Sequence, residues 1–177
     1  MPKRLAYAWA AMLLTGFIFN TGAGAAPVRY TLAPGTVQVG FRAYGLGIIT
    51  IDGQFTRFGG TLTLDDANPA ICQIELNADV ASLRMPKQAM TDDALGADLL
   101  DAAHFPDFRY DATCTGNRLS GMLLLHGVSR TLAMDVERAP GVWRAAGPMK
   151  RADWGMGARP LIAGPEVRIS ITAGLPK

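Results

Sequence analysis

The sequence predicts an all-β fold: an extended antiparallel barrel with one short helical insertion at about 86–103. Three observations predict it. Apolar and polar residues alternate over most of the chain, turn-forming residues cut that alternation at short intervals, and one segment alone changes to helical spacing.

The chain opens with a segment that does not belong to the barrel. Lys3 and Arg4 precede an apolar stretch from Leu5 to Phe19 and then the small residues "TGAGAAP". A basic start, an apolar middle and an Ala23-Gly24-Ala25 site follow the order of a secretory signal peptide, with cleavage expected after Ala25. The apolar run is shorter than the roughly 20 residues that span a bilayer, so no stable membrane insertion is expected after cleavage. Residues 1–25 are therefore expected to be a signal peptide, and 26–177 one barrel domain. Without Lys3 and Arg4 the chain carries 15 basic and 15 acidic residues and no basic run. That balance argues against nucleic acid and anionic membrane surfaces as partners.

The strands follow in order. In "TVQVGFRAY", Val37, Val39, Phe41 and Ala43 share one face. In "IDGQFTRFGGTLTLDD", the apolar set shifts parity between Phe55 and Phe58, continuing through Leu62 and Leu64. A strand pair with a bulge or tight corner produces such a shift, and Gly59 and Gly60 permit strong coiling there. Closing a barrel requires corners of this kind, whereas a sandwich needs them less. In "ICQIELNADV", Cys72, Ile74, Leu76, Ala78 and Val80 face together; in "FRYDATC", so do Phe108, Tyr110, Ala112 and Cys114. "GNRLSGMLLLHGVSRTLAMDVERAPG" reads as a hairpin bent near His126-Gly127, with the run Met122 to Leu125 expected to be covered on both sides. Val167, Ile169, Ile171 and Ala173 close the series. One dry face and one wet face is the habit of antiparallel sheets.

In "MPKQAMTDDALGADLLDAAHFP", Pro86 is placed for a helix start and Asp92 and Asp93 for the cap of a second turn. Leu95, Leu99 and Ala103 stand at helical spacing, and Pro106 returns the chain to a strand. Cys72 and Cys114 have matched parity, and export implies an oxidising compartment. A disulfide between them is expected, the alternative being two small buried hydrophobes.

The motifs of catalysis do not assemble. His104 and His126 are not at metal-ligand spacing, and the cysteines form no C-x-x-C, so no metal site is expected. Ser82, Ser120, Ser129 and Ser170 stand in no G-x-S-x-G elbow. "GMGARP" lacks the third glycine of a dinucleotide loop and its strand-to-helix setting. No catalytic residues, no cofactor and no enzymatic activity are expected. The plentiful inward-facing apolar side chains either fill the barrel or line a ligand space.

Four blocks, "YTLAPGTVQVGFRAYGLGIITIDGQFTRFGGTLTLDD", "LLDAAHFPDFRYDAT", "GMLLLHGVSRTLAMDV" and "RADWGMGARP…EVRISI", resemble in this order the successive blocks of the YceI-like family. The resemblance runs from about Tyr30 to Ile171. It implies a lipocalin-like barrel that wraps a long isoprenoid or fatty-acid-type chain, in a protein exported to the periplasm. The family's motif positions fall on Gly53, Phe55, Phe58, Gly60 and Leu62, then on Asp101, Phe105 and Pro106. They continue on Gly121, Leu123, His126 and Gly127, and on Arg151, Asp153, Trp154, Gly155 and Met156. The chain departs from the family at Gly35-Thr36, where His-Ser is common, and at Tyr44, where a histidine is common.

The expected ligand-binding residues are Phe41, Phe55, Phe58, Leu62, Leu64, Ile74, Leu76, Phe108, Tyr110, Leu123, Leu125, Trp154 and Met156. Arg57, beside the corner, is a candidate for the ligand's head group, and Asp153 for pairing with Arg151 or capping a turn. The function expected is a periplasmic carrier of a long apolar lipid, compatible with a homodimer. The alternatives are an envelope stress or interaction module with a filled barrel, and a lipid-modifying enzyme using His126 or His104.

Overall fold

The computed structural model describes residues 26–46, 48–65, 67–68 and 70–176, and the backbone alone at Ile162. The expected signal peptide lies outside the described residues, as do Asp66 and Pro69 of one expected turn.

Eleven strands form one antiparallel sheet. They are β1 Val28–Leu32, β2 Val37–Gly45, β3 Ile49–Phe55, β4 Phe58–Leu64, β5 Cys72–Asp79, β6 Leu83–Arg84, β7 Asp107–Thr115, β8 Arg118–Leu125, β9 Val128–Ala139, β10 Val142–Lys150 and β11 Glu166–Gly174. Their order across the sheet is β1-β4-β5-β7-β8-β9-β10-β11-β2-β3-β6, and the sheet curls into an open, lipocalin-like barrel. The expected strands are present. β1 and β10 are additional, and their short or charge-interrupted alternation gave no sequence signal.

The parity shift between Phe55 and Phe58 is a corner, but β3 and β4 do not pair with each other as a strand pair would. They are one bent strand. β5 and β6, joined by a 3-10 turn Val80–Ser82, form a second bent strand. β4 pairs with β5 before the bend and β3 with β6 beyond it. Two ladder bonds hold the crossing, from Thr56 N to Ser82 O at 3.3 Å and from Asp79 N to Arg57 O at 3.0 Å. The fully buried Ser82 hydroxyl donates to Asp79 O at 2.6 Å and accepts from Thr56 N at 3.2 Å. The corner thereby draws together strands from opposite ends of the sheet order. Gly60, with φ +146°, is obligatory here, because a Cβ would lie 1.9 Å from Glu75 O.

His126 and Gly127 form the two-residue bend between β8 and β9, with φ 51° and 69°. Two positive φ values match the twist of the flanking strands. The run Met122 to Leu125 is not covered on both sides, because β8 presents one face to water. Leu123 and Leu125 are buried while Met122 and Leu124 are exposed.

The helical insertion contains one helix, α1 Gln88–Leu95, followed by hydrogen-bonded turns to Phe105. Pro86 stands just outside it. Asp92 and Asp93 lie within the helix and cap no second turn, because Gly96 ends the helix first. Leu100 N bonds back to Ala94 O and Ala102 N to Leu95 O, folding the segment onto α1. A second short helix, α2 Pro160–Ala163, precedes β11.

Candidate functional site

Along each core-lining strand the interior changes from filled to hollow. At one end, Leu62, Leu64, Ile74, Leu119, Ala145 and Trp143 are buried against one another, Trp143 with no exposure at all. The β5–β7 register sets Cys72 against Cys114 here, and the disulfide between them is formed, with Cα atoms 5.0 Å apart. Two or four residues further along the same strands, the side chains no longer meet. They line an apolar cavity of about 240 Å³. A cavity of about 150 Å³ already accepts benzene.

Of the residues expected at a ligand site, Phe41, Phe55, Leu76, Phe108, Tyr110, Leu123, Leu125 and Met156 line this cavity. Phe55 stands edge-on to Phe108, with ring centroids 4.9 Å apart, and Phe41 is 6.5 Å from Phe55. Gly53 admits the Phe41 ring, since a Cβ there would lie 2.5 Å from it. The Tyr110 hydroxyl donates to Leu132 O at 3.0 Å, and burial pushes its pKa above the ordinary phenol value.

The other five stand elsewhere. Leu62, Leu64 and Ile74 face inward as expected, but into the filled end. Phe58 is half-buried beside the corner, opposite Ala78. Trp154 is buried behind the cavity wall, where its Nε1 donates to Leu123 O at 3.1 Å. Parity places a side chain inside a barrel without saying how far along the axis it sits.

The open side of the cavity is formed by the half-buried or exposed Ile51, Met85, Met90, Asp93, Leu99 and Ala163, from β3, the insertion and α2. Arg159 bridges this rim. It pairs with Asp93 on α1 and with Asp98 at 2.7 Å, and these carboxylates raise its pKa. Arg57 takes no part. It is exposed at the corner and bonded to Asp79 at 2.5 Å, which holds the Asp79 carboxyl below its ordinary pKa.

Arg151, not singled out for the site by the sequence reading, lines the cavity and is 6% exposed. It pairs with no carboxylate, Asp153 included, among the described residues. Nε donates to Gly164 O at 2.7 Å, Nη1 to Met156 O at 2.5 Å and Nη2 to Ala158 O at 3.0 Å. Burial lowers its pKa from the ordinary guanidinium value. A sequence signal existed. The loop "GMGARPLIAGP" has few regular backbone partners, and an arginine beside it supplies five N–H donors to its carbonyls.

The histidines stand apart from the cavity. His126 Nδ1 lies 3.1 Å from Trp154 O and its ring stacks on Phe105 at 4.5 Å; His104 is exposed and bonded to Asp101. Among the described residues no group of three or more His, Cys, Asp or Glu side chains is arranged to hold a metal ion.

Comparisons with known proteins agree with this architecture. Residues 30–175 match the YceI-like domain. Protein YceI of Salmonella arizonae is 26% identical over 130 residues, covering 70% of this chain and 68% of that one. The fold is similar to Burkholderia cenocepacia BcnA, with TM-score 0.65 at 21% identity, covering 77% of this chain and 94% of that one. It is also similar to a polyisoprenoid binding domain from Saccharophagus degradans, with TM-score 0.60 at 15% identity, covering 85% and 100%. The chain belongs to the YceI-like family.

Proposed function

We propose that this protein is an exported, periplasmic carrier that sequesters the apolar chain of a long isoprenoid or similar lipid in the hollow end of its barrel. The observation that carries the reading is the cavity of about 240 Å³ within a strand set whose other end is densely filled. The similarity to a polyisoprenoid binding domain supports the same ligand class. Phe41, Phe55, Leu76, Phe108, Tyr110, Leu123, Leu125 and Met156 are the proposed chain contacts.

The energetics favour a chain over a compact ligand. Each buried methylene contributes roughly 0.8 kcal/mol, so ten would contribute about 8 kcal/mol before ordering costs are subtracted. Affinity then comes from the tail, and the few polar groups facing the cavity set orientation. The open side beside α1 and α2 gives a chain longer than the cavity a way out.

Organic extraction of the purified protein followed by mass spectrometry tests occupancy, and titration with a fluorescent polyene alcohol tests capacity. A co-purifying long-chain lipid, or saturable binding of the polyene with one site per chain, is expected. Absence of both would overturn the carrier reading in favour of a barrel that acts through its surface.

A further inference from the structure

We propose that the ligand held in the cavity carries an anionic oxygen head group, a carboxylate or a phosphate, which pairs with Arg151. The inference rests on the carrier reading and narrows it from any apolar chain to an acidic amphiphile.

Arg151 is a buried charge without a counter-charge. Buried ions in proteins are paired with an opposite charge or a metal, because taking one out of water is costly. The other arginines that meet carboxylates in this fold do so near the surface: Arg42, Arg57, Arg109, Arg118 and Arg159. Arg151 has no ion pair among the described residues. The contrast with Arg159 is sharp, since that nearby exposed arginine has two carboxylates.

Three carbonyls cradle Arg151, and they orient it without neutralising it. A guanidinium has five N–H donors. Nε gives its single one to Gly164, and each terminal nitrogen gives one of its two, to Met156 and Ala158. One N–H on each terminal nitrogen is left without an acceptor among the described residues. Two such donors are what a carboxylate or phosphate accepts side by side.

The position is also right. Arg151 lines the cavity together with Met156, Ala163 and Val167, beside the α2 part of the open side. An amphiphile with its tail toward Tyr110 and Leu132 would carry its head there. The other charged groups nearby leave this role open. Asp93 is the one carboxylate among the described residues that line the cavity, and it is engaged by Arg159. Asp153 is exposed on the turn that carries Arg151, and His126 is bonded at Trp154 O.

The test uses the purified protein, freed of co-purifying lipid, and three probes with one tail: hexadecanoic acid, hexadecyl phosphate and hexadecanol. At neutral pH at least one anionic probe should bind about tenfold or more tighter than the alcohol. Which of the two binds tighter identifies the head group. A pH titration of the bound acid, labelled with carbon-13 at its carboxyl and followed by NMR, separates pairing from mere burial. Next to Arg151 the carboxyl should titrate below its value free in water; in an apolar pocket without a cation it would titrate above.

Equal affinity for acid, phosphate and alcohol, or a bound carboxyl shifted upward, overturns the inference while leaving the carrier reading intact. Failure of all three probes to bind removes the carrier reading and this inference with it. Arg151→Gln should abolish the preference for the anions over the alcohol, and Arg151→Lys should retain part of it. Because Arg151 also holds the 155–164 loop, the titration in the unmodified protein stands as the decisive measurement if either variant fails to fold.

Discussion

The two ends of this barrel are built from the same strands and the same alternation, yet one is solid and the other hollow. On β5 the inward series runs Cys72, Ile74, Leu76; on β7 it runs Cys114, Ala112, Tyr110, Phe108. The first members are packed beneath the disulfide and the later ones line the cavity. What separates the ends is what stands across the axis. Trp143 occupies the centre of one, whereas at the other the opposing walls are held apart and the insertion covers the side. Stability and ligand capacity are therefore assigned to different lengths of the same strands.

That division can be broken most forcefully at its plug. Trp143→Ala should destabilise the protein by about 3–5 kcal/mol, read from denaturant unfolding, because the side chain is fully buried and its space cannot refill. Removing the disulfide with Cys72→Ser and Cys114→Ser together should cost about 2–4 kcal/mol, with little change in affinity for a polyene probe. A large affinity change would mean that the two ends are not independent.

A sharper comparison adds the same side chain at each end. Ala145→Phe at the filled end should cost about 1–3 kcal/mol through overpacking. Val167→Phe on the cavity wall should change stability by less than about 1 kcal/mol while reducing probe binding at least about tenfold, because the ring has empty space to enter. Equal destabilisation at the two positions would refute the division.

The smallest effect lies at the corner. Arg57 holds the Asp79 carboxyl below its ordinary pKa, mainly through their hydrogen bond. A depressed folded pKa contributes stability in full above the unfolded carboxylate value, near about 3.9, and loses it as pH falls through the lower folded value. Asp79→Asn should therefore flatten the acid side of the stability profile by less than about 1 kcal/mol, as befits a surface pair. Thermal melts between neutral and strongly acidic pH would show it.

Much of this architecture was legible from spacing because a strand side chain has only two directions to choose between. The inward faces of β2, β5, β7 and β11, the corner at Phe55–Phe58, the bend at His126-Gly127 and the cysteine pairing all follow from parity and turn chemistry. Depth along the axis does not. Ile74 and Leu76 carry the same alternation on one strand, yet the first is packed in the filled end and the second lines the cavity. Arg151 was hidden for another reason. Its burial depends on a loop of carbonyls from Met156 to Gly164 folding back over it, and no periodicity encodes that return. Met122 and Leu124 misled in the opposite sense, as apolar residues that the fold leaves in water.

Because the plug sits at a fixed rung of the sheet, the barrel contains a ruler. A strand advances about 3.3 Å per residue, and inward positions recur every second one. Shifting the tryptophan by a single inward position would move the floor by roughly 7 Å. Relatives that share this scaffold can thus be graded by the rung at which their largest inward side chain stands, and the grade reads out the length of tail each one measures.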